Sequence, residues 1–143
     1  MARPNTNPVF PGQYGRAVVS IGAAADTAFD GSDTDFVEVV ECPASEPGGY
    51  LIRKITVQAK VSTTAGQVKL GLSPDGSTTR YPWRNILVSA ITVGAAVLPF
   101  WAQLDDQNDE ELAGGLILPP GWSLVASTHI AEAMAVHCEY GIL

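Results

Sequence analysis

Apolar and polar residues alternate along much of this chain. From Lys54 the even positions are polar (Lys54, Thr56, Gln58, Lys60) and the odd ones apolar (Ile55, Val57, Ala59, Val61). A period of two puts each set on its own face of a strand, one toward solvent and one toward a core. This predicts a strand within Tyr50–Val61. Gln67–Leu72 repeats the pattern, with Val68, Leu70 and Leu72 facing inward. Ser62–Gly66 joins the two as a short hairpin loop, and Ser73-Pro74-Asp75-Gly76 forms a turn in which Pro pre-sets φ. Further strands are predicted over Ala17–Ile21, Phe36–Cys42, Trp83–Val93, Val97–Leu104, Leu116–Leu118, Ser123–Ser127 and Ala133–Tyr140. Trp83–Val93 shows little alternation, so it reads as buried on both faces or as an interface strand. Val97–Leu104 places Leu98, Phe100, Ala102 and Leu104 on one face. The last strand places Met134, Val136, Cys138 and Tyr140 on one face.

No long segment keeps apolar residues at helical spacing, and 14 Gly with 10 Pro interrupt the windows that might. Eight or nine short strands with frequent turn signals predict an all-β sandwich. A jelly-roll-like order is favoured over other sandwiches. A chain of 143 residues suits one domain. Residues 17–143 form that domain. Residues 1–16 differ, with Pro4, Pro8 and Pro11 and no acidic residue. Such a segment is either a disordered tail or an extended arm across a neighbouring subunit. The arm is favoured, because Val9, Phe10 and Tyr14 supply apolar anchors on a proline-stiffened chain that loses little entropy on docking.

Charge narrows the partners. Eight Lys and Arg against fifteen Asp and Glu give a net charge of -7, and the cations are scattered. Nucleic acid and anionic membrane surfaces are poor partners for such a chain. No run approaches the ~20 apolar residues of a membrane span, and Met1–Gly12 lacks the apolar stretch of a signal peptide. The protein is expected to stay in the compartment where it is made. Cys42 and Cys138 lie among apolar residues, which favours two buried thiols over a bridge.

Catalytic patterns are weak, and no cofactor is expected. The two histidines are His129 and His137. Cys138 follows His137, but adjacent strand residues point to opposite faces. The acids of 105–111 read as a solvated loop. Asp30, Asp33 and Asp35, with Ser32, supply hard oxygens that suit Ca²⁺, although their spacing does not match an EF-hand. Trp83 or Trp101 could offer a sugar platform.

One larger pattern covers residues 49–143. Gly49-Tyr50-Leu51-Ile52-Arg53-Lys54-Ile55-Thr56-Val57 opens it, followed by a hairpin, the strand Ile86-Leu87-Val88 and Leu98-Pro99. Leu118-Pro119-Pro120-Gly121-Trp122-Ser123-Leu124-Val125 and Ala135–Gly141 complete it. This order resembles small β-sandwich structural proteins of tailed bacteriophages, and the arm and the acidic loop lie outside it. The resemblance implies a virion component and marks no active residue. The favoured expectation is a capsid decoration (cement) protein that binds the major capsid protein and copies of itself as a homotrimer. The alternatives are a minor tail or spike-base protein and a carbohydrate-binding jelly-roll module.

Overall fold

A computed structural model describes residues 12–32, 35–75, 79–107, 109 and 112–143. Among these residues nine strands are formed: β1 (Gln13–Ile21), β2 (Val37–Glu41), β3 (Tyr50–Ala59), β4 (Gly66–Ser73), β5 (Tyr81–Val88), β6 (Trp101–Asp105), β7 (Leu116–Leu118), β8 (Ser123–Thr128) and β9 (Met134–Ile142). No helix occurs among the described residues.

Every strand pairing is antiparallel. One sheet has the order β1-β9-β3-β6, with β7 pairing the first residues of β3. The other has the order β2-β8-β4-β5. With β7 set aside, these interleaved orders are the double Greek key of a jelly roll. The inner faces pack on each other as in a sandwich. Ile52, Ile55, Val57, Val136 and Cys138 from one sheet meet Val68, Leu70, Leu124 and Ala126 from the other, all at or near zero exposure.

Bulges reconcile this core with the apolar pattern. In β3 the buried residues are Tyr50 and Ile52, then Ile55, Val57 and Ala59, which a regular strand would place on opposite faces. The register against β9 slips between Ile52 and Lys54. The extra residue, Arg53, restores inward facing on both sides of the slip. A second slip between Glu38 and Val40 lets the consecutive Val39 and Val40 both be buried. The turn after β7 follows its sequence. Trp122 N–H donates to Pro119 O at 3.0 Å, and Gly121 takes φ 82°, so Pro120 and Gly121 occupy the middle of a type II turn.

Three expected boundaries change. β1 begins at Gln13, four residues before Ala17, because β9 runs to Ile142 and gives Gln13–Arg16 backbone partners. Residues 13–16, read as the end of the arm, therefore belong to the sheet. β5 ends at Val88 with Ile86 and Val88 inward and Leu87 exposed, so it is a one-sided edge strand, not one buried on both faces. β6 begins at Trp101. Phe100, Ala102 and Leu104 do pack inward, but Leu98 is 85% exposed. The segment before β6 turns back on itself instead of extending the strand.

Gly22 ends β1, where the chain leaves the first sheet. Its φ is 87°, and a Cβ there would fall 1.8 Å from the backbone oxygen of Glu132. Both the left-handed backbone and the backbone clash forbid a side chain. Gly22→Ala is expected to cost about 3 kcal/mol, read as a lower urea midpoint with an unchanged slope.

Candidate interaction surfaces

Three regions concentrate side chains whose placement needs a reason beyond the core. The first is a buried charge cluster on the outer side of the β2-β8-β4-β5 sheet. Lys69, Gly71, Val125 and Ser127 point away from the core, toward what the alternation predicts is solvent. The segment from Asp26 to Gly31 lies across them instead, which is why every residue of β8 is buried. Asp26 N–H donates to Thr128 O at 2.8 Å, tying the segment to the end of β8. The Asp26 carboxylate accepts from Ser127 Oγ at 2.6 Å. It also pairs with Arg80 at 3.3 Å and Lys69 at 3.4 Å. Lys69 Nζ donates to the carbonyls of Asp26 and Ala28 and lies 4.3 Å over the Phe29 ring. The Arg80 guanidinium lies 4.0 Å over Phe36. The opposite charges and ring faces here belong to one another, so the cluster pins the crossing segment to the sheet.

The second region is the outer face of the β1-β9-β3-β6 sheet. Strand register puts four charges in one row: Arg16 opposite Glu139, Glu139 opposite Lys54, and Lys54 opposite Asp105. Signs alternate across four strands, so each neighbouring pair attracts. Arg16 and Glu139 bond directly. Arg53, the bulged residue, donates to Asp106 at 2.9 Å, and this pair holds its guanidinium above its usual pKa. Above this row a trough of about 680 Å³ opens, with Tyr14 on its rim.

The third region is the connection between β5 and β6. Thr63 and Ile91 form two backbone bonds, at 2.9 and 3.0 Å. Val93 N–H donates to Ser62 Oγ at 3.0 Å. Gly94 and Val97 exchange bonds of 3.3 and 3.1 Å around Ala95 and Ala96. The result is a small hairpin tied at its base and tip. Every residue from Thr92 to Leu98 is exposed, and no residue from Asn85 to Leu104 is charged.

The residues singled out in the sequence fall as follows. Val9 and Phe10 lie outside the described residues. Tyr14 lies in β1, 66% exposed, on the same outer face as Arg16. Asp33 also lies outside the described residues. Asp30 accepts from Ser32 N–H at 2.9 Å, and its hydrogen bonds with Ser32 lower its pKa. Asp35 is exposed. Among the described residues no three acidic, His or Cys side chains converge as metal ligands. The acids of the 105–109 loop are tied down: Asp106 to Arg53, Asp109 to Arg84, and Asp105 to Gln103 at 2.8 Å. Trp83 and Trp122 pack against the core, while Trp101 is 57% exposed. His129 stacks on Phe29 at 5.2 Å. His137 stands in β9 between Val18 and Thr56, on the face opposite Cys138. The charge cluster and the hairpin escaped sequence reasoning. The long uncharged run was the available signal for the hairpin.

Cys42 and Cys138 are both free and buried. Burial raises the Cys42 thiol and pushes Cys138 up to about 12. In an unfolded chain the thiol ionises near its ordinary 9.0, so between these values the unfolded state loses a proton that the folded state keeps. The contribution of Cys138 to stability is thus full below pH 9 and declines as pH rises toward 12. Urea midpoints at about pH 8 and about pH 11 should show the fall, and Cys138→Ala should lessen it.

No protein-family model matches the chain, and no curated protein matches it in sequence.

Proposed function

We propose that this chain is a non-enzymatic structural subunit of a tailed-phage virion, a decoration protein that packs across neighbouring major capsid proteins and stabilises the shell. The single observation that carries the reading is the Thr92–Leu98 hairpin, an exposed, uncharged, apolar projection held in shape by its own backbone bonds. A preshaped loop loses little conformational entropy on docking. Burying what is still exposed of Val93, Val97 and Leu98 on a partner is worth roughly 1 kcal/mol for each valine and about 2 kcal/mol for Leu98, before the costs of association. The resemblance of residues 49–143 to phage structural proteins supplies the class of partner. The jelly roll supports the same reading, since that fold recurs in capsid proteins, although fold alone does not fix function.

In this reading the chain also contacts copies of itself, as a trimer at a local threefold position. β1, β2 and β5 each have one edge without a strand partner among the described residues, and covering such edges with a neighbour protects them. The test adds purified protein to expanded capsids lacking it and follows their thermal disruption. Saturable binding and a higher disruption temperature are expected. Equal disruption temperatures with and without the protein would refute the proposal, and binding to purified tails but not heads would move the protein to the tail.

A further inference from the structure

The outer face of the β1-β9-β3-β6 sheet has no role in that docking. The other sheet's outer face is crossed by the segment at Asp26–Gly31, whereas among the described residues no segment crosses this one. Its two grooves, of about 680 and 210 Å³, share Arg16, Lys54 and Glu139 and so form one continuous trough. Strand register sets its floor in rows. Next to the charged row comes Val18–His137–Thr56–Gln103, and then Ser20–Ala135–Gln58–Trp101.

We propose that this trough binds a neutral oligosaccharide, with Tyr14 lining one end and Trp101 standing beyond the other, next to the lining residue Gln58, as aromatic platforms. Three observations lead to that ligand class. First, the charges are balanced within the site. Arg16 is paired with Glu139 and Arg53 with Asp106, and Lys54 lies opposite Asp105 in the strand register, so the three cations are matched by three carboxylates and a charged ligand would compete with them. A polyol offers hydroxyls that both donate and accept, and it can bond to ion-paired groups without separating them. Second, the floor between the charged row and Trp101 carries amides, a hydroxyl and an imidazole: Gln58, Gln103, Thr56 and His137. Together these side chains offer both hydrogen-bond donors and acceptors. Third, Trp101 and Tyr14 are 57% and 66% exposed on a face whose other side chains are mostly polar, Val18 and Ala135 apart. Neither packs in the core cluster. An indole or phenol ring there presents a flat apolar surface to the C–H face of a sugar ring, while its polar edge stays wet. The backbones of the two residues stand at opposite corners of the sheet, six residues along β1 and three strands apart. That is a diagonal of about 24 Å, the span of roughly four or five linked pyranose rings.

The trough has the volume range of a ligand site and the open, elongated form that suits a chain molecule. The sequence pointed to Trp83 or Trp101 as sugar platforms. Trp83 packs against the core, and the partners of Trp101 are the strand residues of this face, with no part played by the loop at Asp30.

The experiment titrates the full chain with three neutral probes, cellopentaose, maltopentaose and N-acetylchitopentaose, and one acidic probe, pentagalacturonate. Tryptophan fluorescence and calorimetry read the binding. Saturable binding of at least one neutral probe is expected, with a change in tryptophan emission. Trp101→Ala and Gln58→Ala should each weaken it, Trp101→Ala by at least about tenfold. Both positions point to solvent, so both variants should melt near the parent temperature. Tyr81→Ala, at an exposed aromatic on the edge of the other sheet, should bind like the parent. The proposal is overturned if none of the neutral probes binds, if the acidic probe is preferred, or if Trp101→Ala binds as tightly as the parent.

Discussion

Replacing Asp26 with alanine is expected to cost about 3–5 kcal/mol of folding stability, the largest loss of any substitution outside the hydrophobic core. The Asp26 side chain is almost wholly buried and sits between Lys69 and Arg80, whose own side chains are only 11% and 6% exposed. Removing the carboxylate leaves two positive groups close together beneath the crossing segment, with the Ser127 hydroxyl deprived of its acceptor. The cost is chiefly that of Lys69 left buried without its counter-ion, so it exceeds the hydrogen bonds counted singly. Ser127→Ala, which leaves the ions paired, should cost only about 1 kcal/mol. Replacing the three charged residues together, as Asp26→Leu with Lys69→Met and Arg80→Met, should recover much of the loss, because no buried charge remains. Urea denaturation distinguishes these outcomes through the midpoint at constant slope. A loss below about 1 kcal/mol for Asp26→Ala would mean that the segment is not pinned by this cluster.

Val97→Asp combined with Leu98→Asp is expected to abolish binding to capsids while leaving the fold intact. Both side chains are solvent-facing in the free protein, at 48% and 85% exposure, so stability should change by no more than about 0.5 kcal/mol. In a docked state the same positions would carry unpaired carboxylates into an apolar contact. The lost apolar burial alone is about 2–4 kcal/mol for the pair, because Val97 is already half buried, which corresponds to an about thirtyfold or greater weakening. Desolvation of the new carboxylates adds to it. Co-sedimentation with expanded capsids measures the loss, and a thermal melt of the variant checks the fold. Undiminished co-sedimentation would remove the hairpin from the interface.

Much of this fold was legible in the sequence, and the parts that were not share a cause. Alternation located β3, β4 and β9, because each has one face in the core and its polar residues outside. Cys138 and His137 were placed on opposite faces for the same reason. Alternation cannot register a bulge, so the paired burial of Val39 and Val40 and the slip at Arg53 were invisible. It also cannot tell solvent from a covering segment. Lys69 reads as a surface residue between Val68 and Leu70, yet the chain from Asp26 to Gly31 closes over it. The segment 97–104 misled in the opposite sense. Leu98, Phe100, Ala102 and Leu104 have the spacing of one buried face, but Pro99 has no N–H to give a ladder, and the Gly94–Val97 turn draws the chain away before the strand begins. The trough was half legible. Trp101 was visible as a candidate platform, but its neighbours come from β3, β9 and β1, and only the strand order brings them together.

In the proposed function this protein acts by docking its hairpin on other protein subunits of a virion. Cryo-electron microscopy of particles from the native source tests it most directly. The expected result is density for the jelly roll on the capsid exterior at threefold or quasi-threefold positions, with Val93, Val97 and Leu98 buried against a capsid subunit. A particle whose map has no place for this chain, or one in which the hairpin points into solvent, would contradict it.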